Sequence, residues 1–218
     1  YIMFGNERNL SDFFLSKEKF RVYPSHDQSS SYMKKENQYL SRLTDGNIQI
    51  LSLIEPIYNI AEMKILYHRY PHLLKYVMSC DSNKLSNEKW CYKCPTCATL
   101  FLLALAVGGD PRKMGFTKNL FEKKYKNLYV IFTNKINRVY FKPPRVKEEE
   151  LFAFLLAYKN GCKGELIDLF KERYLKKVRK RERELRKRYF GIHPVNTMPP
   201  ELRDKVLKIY RKELKNLI

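Results

Sequence analysis

Apolar residues recur at helical spacing through most of this chain and alternate in few places, a pattern that predicts a mainly helical protein with a few short strands. Ile60, Met63, Leu66, Tyr67 and Tyr70 form one stripe behind Asn59-x-x-Glu62, read as a capping box that opens a helix over 59–70. Pro71 interrupts it, and a second short helix is expected over 72–78. The uncharged run 98–107 reads as a helix buried on nearly all sides and stopped by Gly108-Gly109; it is too short to span a bilayer. Earlier in the chain, 33–43 predicts a helix ending at Asp45-Gly46. Residues 1–4 and 48–54 read as strands, the first of them buried, and 19–23 as a short extended piece. A short helix is expected over 116–121, and 128–132 fits either a strand or a buried helical turn.

Beyond Pro143-Pro144, the stretch 147–158 combines an acidic first turn (Glu148, Glu149, Glu150) with Leu151, Phe154, Leu155 and Tyr158, so the helix dipole favours it. One long helix is expected over 165–190, with Ile167, Phe170, Tyr174, Val178, Leu185 and Tyr189 on one face and Gly191 as its stop. Pro199-Pro200 opens a last helix carrying Leu202, Val206, Ile209 or Tyr210, and Leu217. The last two helices are expected to pack as an antiparallel pair. These punctuation points divide the chain into 1–58, 59–142 and 143–218. An apolar strand at the very start needs flanking partners, so the chain, which opens at Tyr1 without a methionine, is expected to begin inside a domain.

Four cysteines add chemistry to this outline. Cys80-x10-Cys91-x2-Cys94-x2-Cys97 is a complete four-thiolate set, and such spacing predicts a bound metal. Pro95 and Trp90 suit a turn that opens a helix. Zinc is the expected ion, an iron–sulfur cluster uses the same donors, and a disulfide is the remaining reading. No signal peptide or long apolar span appears in these residues, so a cytoplasmic setting is expected, where thiols stay reduced and bind metal. Cys162 stands apart, in a glycine-flanked loop.

Charge changes the picture at the C-terminal end. The formal net charge is +20, and 171–188 alone holds eleven basic and three acidic residues. That density predicts salt-sensitive attraction to polyanions, with Arg179, Lys180, Arg181, Arg183, Arg186, Lys187 and Arg188 as candidate RNA or DNA contacts. A solvated or partner-facing helix from a lysine-rich, thermophile-like composition is the competing reading. No H-E-x-x-H motif, serine-triad signature or glycine-rich nucleotide fingerprint is present.

Read in order, Phe4-Gly5-Asn6-Glu7, Ser25-His26-Asp27-Gln28-Ser29, Ser79-Cys80 and Trp90-Cys91-x-x-Cys94-Pro95-x-Cys97 resemble the C-terminal half of a PP-loop ATP-pyrophosphatase-type (HUP-like) protein over roughly residues 1–145. The cysteine block is similar to that of 7-cyano-7-deazaguanine synthases and more so to that of ATP-dependent muramoyl-dipeptide glutamate epimerases. The resemblance implies an α/β domain remainder, a zinc subdomain and an adenylating activity that uses ATP and Mg2+. It places Glu7 at the carboxyl edge of a sheet, with His26 and Asp27 as further catalytic candidates. The SGGxDS loop that holds ATP in that family is missing; Gly108-Gly109-Asp110 lacks its serines and follows a helix. An upstream ATP-binding half, in the same polypeptide or a separate chain, is therefore expected. The alternative is a noncatalytic RNA- or DNA-binding or assembly protein that uses the basic segment.

Overall fold

The computed structural model describes residues 1–80, 88–133 and 144–218, with side chains from 146 onward in the last stretch. The protein is mainly helical. Two small sheets sit in the N-terminal third: β1 (Ile2–Met3) pairs in parallel with β4 (Ile50–Leu51), and β2 (Phe14–Leu15) pairs antiparallel with β3 (Arg21–Val22). The expected strand over 48–54 contracts to two residues. The expected buried strand at the start is exposed instead, with Ile2 and Met3 at 48% and 59% accessibility, because only one neighbouring strand and no covering helix flank it among the described residues. Between β3 and β4, α1 (Ser30–Leu43) begins at Ser29, whose hydroxyl accepts the Tyr32 N–H, and ends before Asp45 and Gly46, both at positive φ.

The core starts at α2 (Asn59–Arg69) and α3 (Pro95–Ala106), which pack together, with α4 (Pro144–Lys159) covering the other side of α3. Helix α3 turns Cys97, Ala98, Phe101, Leu102, Leu103, Ala104 and Ala106 into the interior, as its uncharged sequence requires. One continuous buried cluster runs from Ile57 to Leu214. The boundary expected at Pro143-Pro144 falls partly outside the described residues.

Several expectations are corrected by packing. Residues 72–78 form a single 3-10 segment, Pro71–Tyr76. The stretch 116–121 is not helical: Phe116, Leu120 and Phe121 are buried in an irregular turn, between 3-10 segments Pro111–Met114 and Lys123–Leu128. Val130–Phe132 is a 3-10 turn, which settles the helical alternative there. The long helix over 165–190 is three pieces, α5 (Glu165–Arg173), α6 (Leu175–Lys180) and α7 (Glu182–Tyr189), broken at Tyr174 and Arg181. A straight helix of that length would leave the core; the breaks let Phe170, Val178, Leu185 and Tyr189 all stay buried. The last helix, α8 (Pro200–Leu214), packs chiefly on α2 rather than as an antiparallel partner of α7. Glu213 clasps His68 and Arg69 across that contact, and Arg186 of α7 reaches the Leu217 carbonyl, beyond the end of α8, at 3.2 Å.

Candidate metal centre and adjoining cavity

The four cysteines converge although ten residues separate Cys80 from the rest. Their sulfurs all lie within 4.8 Å of one another, positioned to hold one metal ion. Cys91 Sγ lies 3.7 Å from Cys97 Sγ, Cys94 Sγ 3.4 Å from Cys97 Sγ, and Cys80 Sγ 3.9 Å from Cys94 Sγ. All are free thiols in the structure, so the disulfide reading does not hold among them.

Local geometry explains the convergence. Tyr92 adopts a left-handed φ of 55°, which bends the chain so that Cys91 and Cys94 face the same point. That conformation is held by its ring, buried against Phe116, and by its hydroxyl, which accepts the Thr117 N–H at 2.9 Å. Cys94 is the N-cap of α3 and Pro95 its first residue, so two sulfurs sit at the positive end of the helix dipole. Backbone N–H groups of Lys93 and Cys97 point at Cys91 and Cys94 sulfurs at 3.4 and 3.5 Å. Trp90 stacks on Phe116 at 4.4 Å and donates to the Met114 carbonyl, anchoring the loop beneath the thiols. In the metal-free chain, burial raises the Cys94 and Cys97 thiols. Burial also opposes ionisation of Cys91, but the Lys93 amide and the neighbouring thiols outweigh it and bring it down to about 7.

Beside this centre lies a cavity of about 510 Å3 between the first turns of α2 and α3. Pro95, Thr96 and Thr99 form one wall, adjacent to Cys94 and Cys97; Ser79, next to Cys80, lines it too. Glu7 and Glu62 contribute carboxylates, and Asn59 donates to Glu7 Oε1 at 3.3 Å. Burial raises Glu7 above the ordinary carboxyl range, against its own backbone amide and Asn59, while burial and the Glu7 charge push Glu62 up to about 7. Glu62 also borders an apolar cavity of about 270 Å3 between α2 and α8.

The structure brings Glu7 to this cavity but not its two expected companions. His26 and Asp27 are exposed in a 3-10 turn, His26–Gln28, where the imidazole edge meets Tyr23 and Tyr32. Glu62 was read as half of a capping box, and that reading is corrected. Tyr58 is the N-cap, and the first amides of α2 are satisfied from afar: Asn9 Oδ1 accepts from Asn59 N–H at 3.0 Å and Glu149 Oε1 from Ile60 N–H at 3.2 Å. The signal for an inward Glu62 was its spacing of four from Leu66, on the apolar stripe.

The basic residues split into two groups. Arg181 pairs with Glu148 and Glu184, Arg186 with Glu182, and Arg188 with Glu148 and Glu184. Arg179, Lys180, Arg183 and Lys187 are exposed and have no ion-pair partner among the described residues. Cys162 is half-buried in the loop after α4, with its thiol raised by burial. Among the described residues no helix is long and apolar enough to cross a membrane. No protein-family model, curated protein or solved structure matches the chain.

Proposed function

We propose that this chain is the zinc-stapled C-terminal portion of an ATP-dependent adenylating enzyme of the PP-loop type, acting on RNA or a small carboxylate substrate. The sulfur geometry is the observation that carries the zinc assignment. Four thiolates about 2.3 Å from a tetrahedral ion stand about 3.8 Å apart; three of the sulfur pairs here are separated by 3.4–3.9 Å and all four sulfurs lie within 4.8 Å of one another. Cys80, Cys91, Cys94 and Cys97 would hold the ion as a closed structural site, with no position left for substrate. Its role would be to pin the start of α3 and the Cys80 loop, and with them one wall of the neighbouring cavity.

Support for a missing ATP-binding half comes from β1 and β4. Parallel sheets are normally covered on both faces, yet this parallel pair leaves Tyr1, Ile2, Met3 and Phe4 exposed. Such a pair fits the edge of a larger parallel sheet, supplied by an upstream α/β unit that binds ATP and Mg2+. Glu7 follows β1 at the carboxyl end of the strand, the side on which α/β sheets bind ligands. The chain would serve in the cytoplasm.

Elemental analysis of the purified chain should return about one zinc per molecule, and Cys94→Ala should release it and destabilise the fold by several kcal/mol. Iron with visible absorbance under anaerobic purification would replace zinc by a cluster. For the enzyme reading, the chain combined with an SGGxDS-bearing partner half should release pyrophosphate from ATP, and Glu7→Gln should reduce the rate; no release from that complex would reject it.

A second reading, a noncatalytic nucleic-acid-binding protein, is favoured by the four exposed cations Arg179, Lys180, Arg183 and Lys187, which have no ion-pair partner among the described residues. They lie on the successive helices α6 and α7, exposed to a phosphate backbone.

A further inference from the structure

The cavity beside the cysteine centre contains a group that the fold does not use. Glu62 is half-buried and borders both cavities, yet its carboxylate has no hydrogen-bond or ion-pair partner among the described residues. Carboxyls withdrawn this far from bulk solvent normally find a hydrogen-bond partner, since desolvation opposes their charge. The structural task its sequence position suggests, capping α2, is performed instead by Asn9 and Glu149. Glu7 lies close enough for its charge to act on Glu62 and shares the cavity wall. Two carboxyl groups thereby face one space large enough for a small molecule.

The remaining lining selects the ligand. Although the chain carries a net charge of +20, no lysine, arginine or histidine is among the described residues that line this cavity. Among the described residues an anionic group would meet two carboxylates and no counter-charge. The neutral polar groups are Asn59, Ser79, Thr96 and Thr99, and the walls are otherwise apolar, among them Met63, Leu66, Leu100 and Leu103. A bare divalent ion is a poor match, since only two of its ligands would be carboxylates in an otherwise apolar space. An ammonium on a compact apolar body matches both halves, its protons shared between the two carboxylates and its carbons against the leucines.

We propose that this cavity is a binding site for a small organic amine, with Glu62 and Glu7 receiving the ammonium group and the α2 and α3 side chains holding its apolar body. The site stands apart from the metal centre in chemistry, although Thr96 and Ser79 tie the two in space. It does not depend on the adenylating reading, because binding is measured on this chain alone.

The test uses the purified metal-loaded chain and isothermal calorimetry with n-butylamine, cyclohexylamine, benzylamine and 4-aminobutylguanidine, each up to about 10 mM, against the matching alcohols and against MgCl2 and MnCl2. At least one amine should bind while its alcohol does not, Glu62→Gln should weaken it about tenfold or more, and Glu7→Gln should weaken it too. Thr99→Leu, which narrows the cavity without touching either carboxylate, should abolish binding and leave the metal content unchanged. The proposal is overturned if no amine binds, if Glu62→Gln binds as well as the parent, or if Mn2+ binds and displaces the amine.

Discussion

At the scale of single residues, three consecutive glutamates show how position decides role. The sequence places Glu148, Glu149 and Glu150 in the first turn of a helix, as dipole partners. Helix α4 begins earlier, at Pro144, and each carboxylate instead ties down a different segment: Glu148 binds Arg181 and Arg188, Glu149 the start of α2, and Glu150 the Ile131 N–H at 2.7 Å. Burial works against ionisation of Glu148, but its two arginines prevail and hold it below the usual range. Glu62 is the opposite case. Its carboxyl moves from 4.5 to about 7, first through burial and then through Glu7. A raised carboxyl means that the folded chain holds more protons than the unfolded one between those values. Stability should therefore fall as pH rises from about 4.5 to about 7, and the penalty should be complete above that. Glu62→Gln should stabilise the protein by about 1–3 kcal/mol near pH 8 and change little near pH 4, read by urea denaturation at both. Equal destabilisation at both would show that the carboxylate supports the fold.

At the scale of elements, the ends of the last helices were legible and their course was not. Gly191 was expected to stop a helix, and α7 does end there. The reason differs from the usual left-handed cap: a Cβ on Gly191 would come within 2.3 Å of the Lys187 carbonyl oxygen, so the chain passes too close for any side chain. Gly191→Ala should lower stability by about 1–3 kcal/mol, measured as a shift in the denaturation midpoint, with unchanged metal content. The breaks at Tyr174 and Arg181 left no punctuation in the sequence, since neither glycine nor proline marks them. They exist because the chain must wrap a core centred on α3, with Tyr174 donating to the Ile131 carbonyl at 2.6 Å and Arg181 turning back to Glu148 at 2.5 Å. Helix α8 likewise could not be placed from its stripe. Its partner was chosen by Glu213 meeting His68 and Arg69, and by Tyr210 donating to the Leu53 carbonyl at 2.8 Å.

At the scale of the whole molecule, net charge overstates the surface available to a polyanion. Three of the seven arginines and lysines singled out on 179–188 are engaged by glutamates, which leaves Arg179, Lys180, Arg183 and Lys187 to attract phosphate. If the nucleic-acid reading holds, affinity for single-stranded RNA should drop steeply between low and physiological salt. Replacing those four by alanine should flatten the salt slope by up to about four phosphate contacts, while Arg186→Ala should act mainly on stability. Salt-independent or absent binding in filter and fluorescence-anisotropy titrations would reject that reading. The buried cluster that joins 57–214 also distributes stability widely, so removal of metal by a chelator should loosen the α2–α3–α4 packing and not merely one loop.

Local sequence was enough to determine the helical character, the positions of α1, α2, α3, α4 and α8, and the four cysteines that could hold a metal, because helical periodicity and C-x-x-C spacing are written in neighbouring residues. Tertiary structure alone decided the breaks in 165–190, the docking of α8 on α2, the exposure of β1, and the pairing that separates bound from free arginines. It also decided that Asn9 and Glu149 cap α2 from 50 and 89 residues away, which leaves Glu62 facing a cavity. Such contacts depend on which distant groups arrive to satisfy a buried amide or charge, and no periodicity within one segment can encode that.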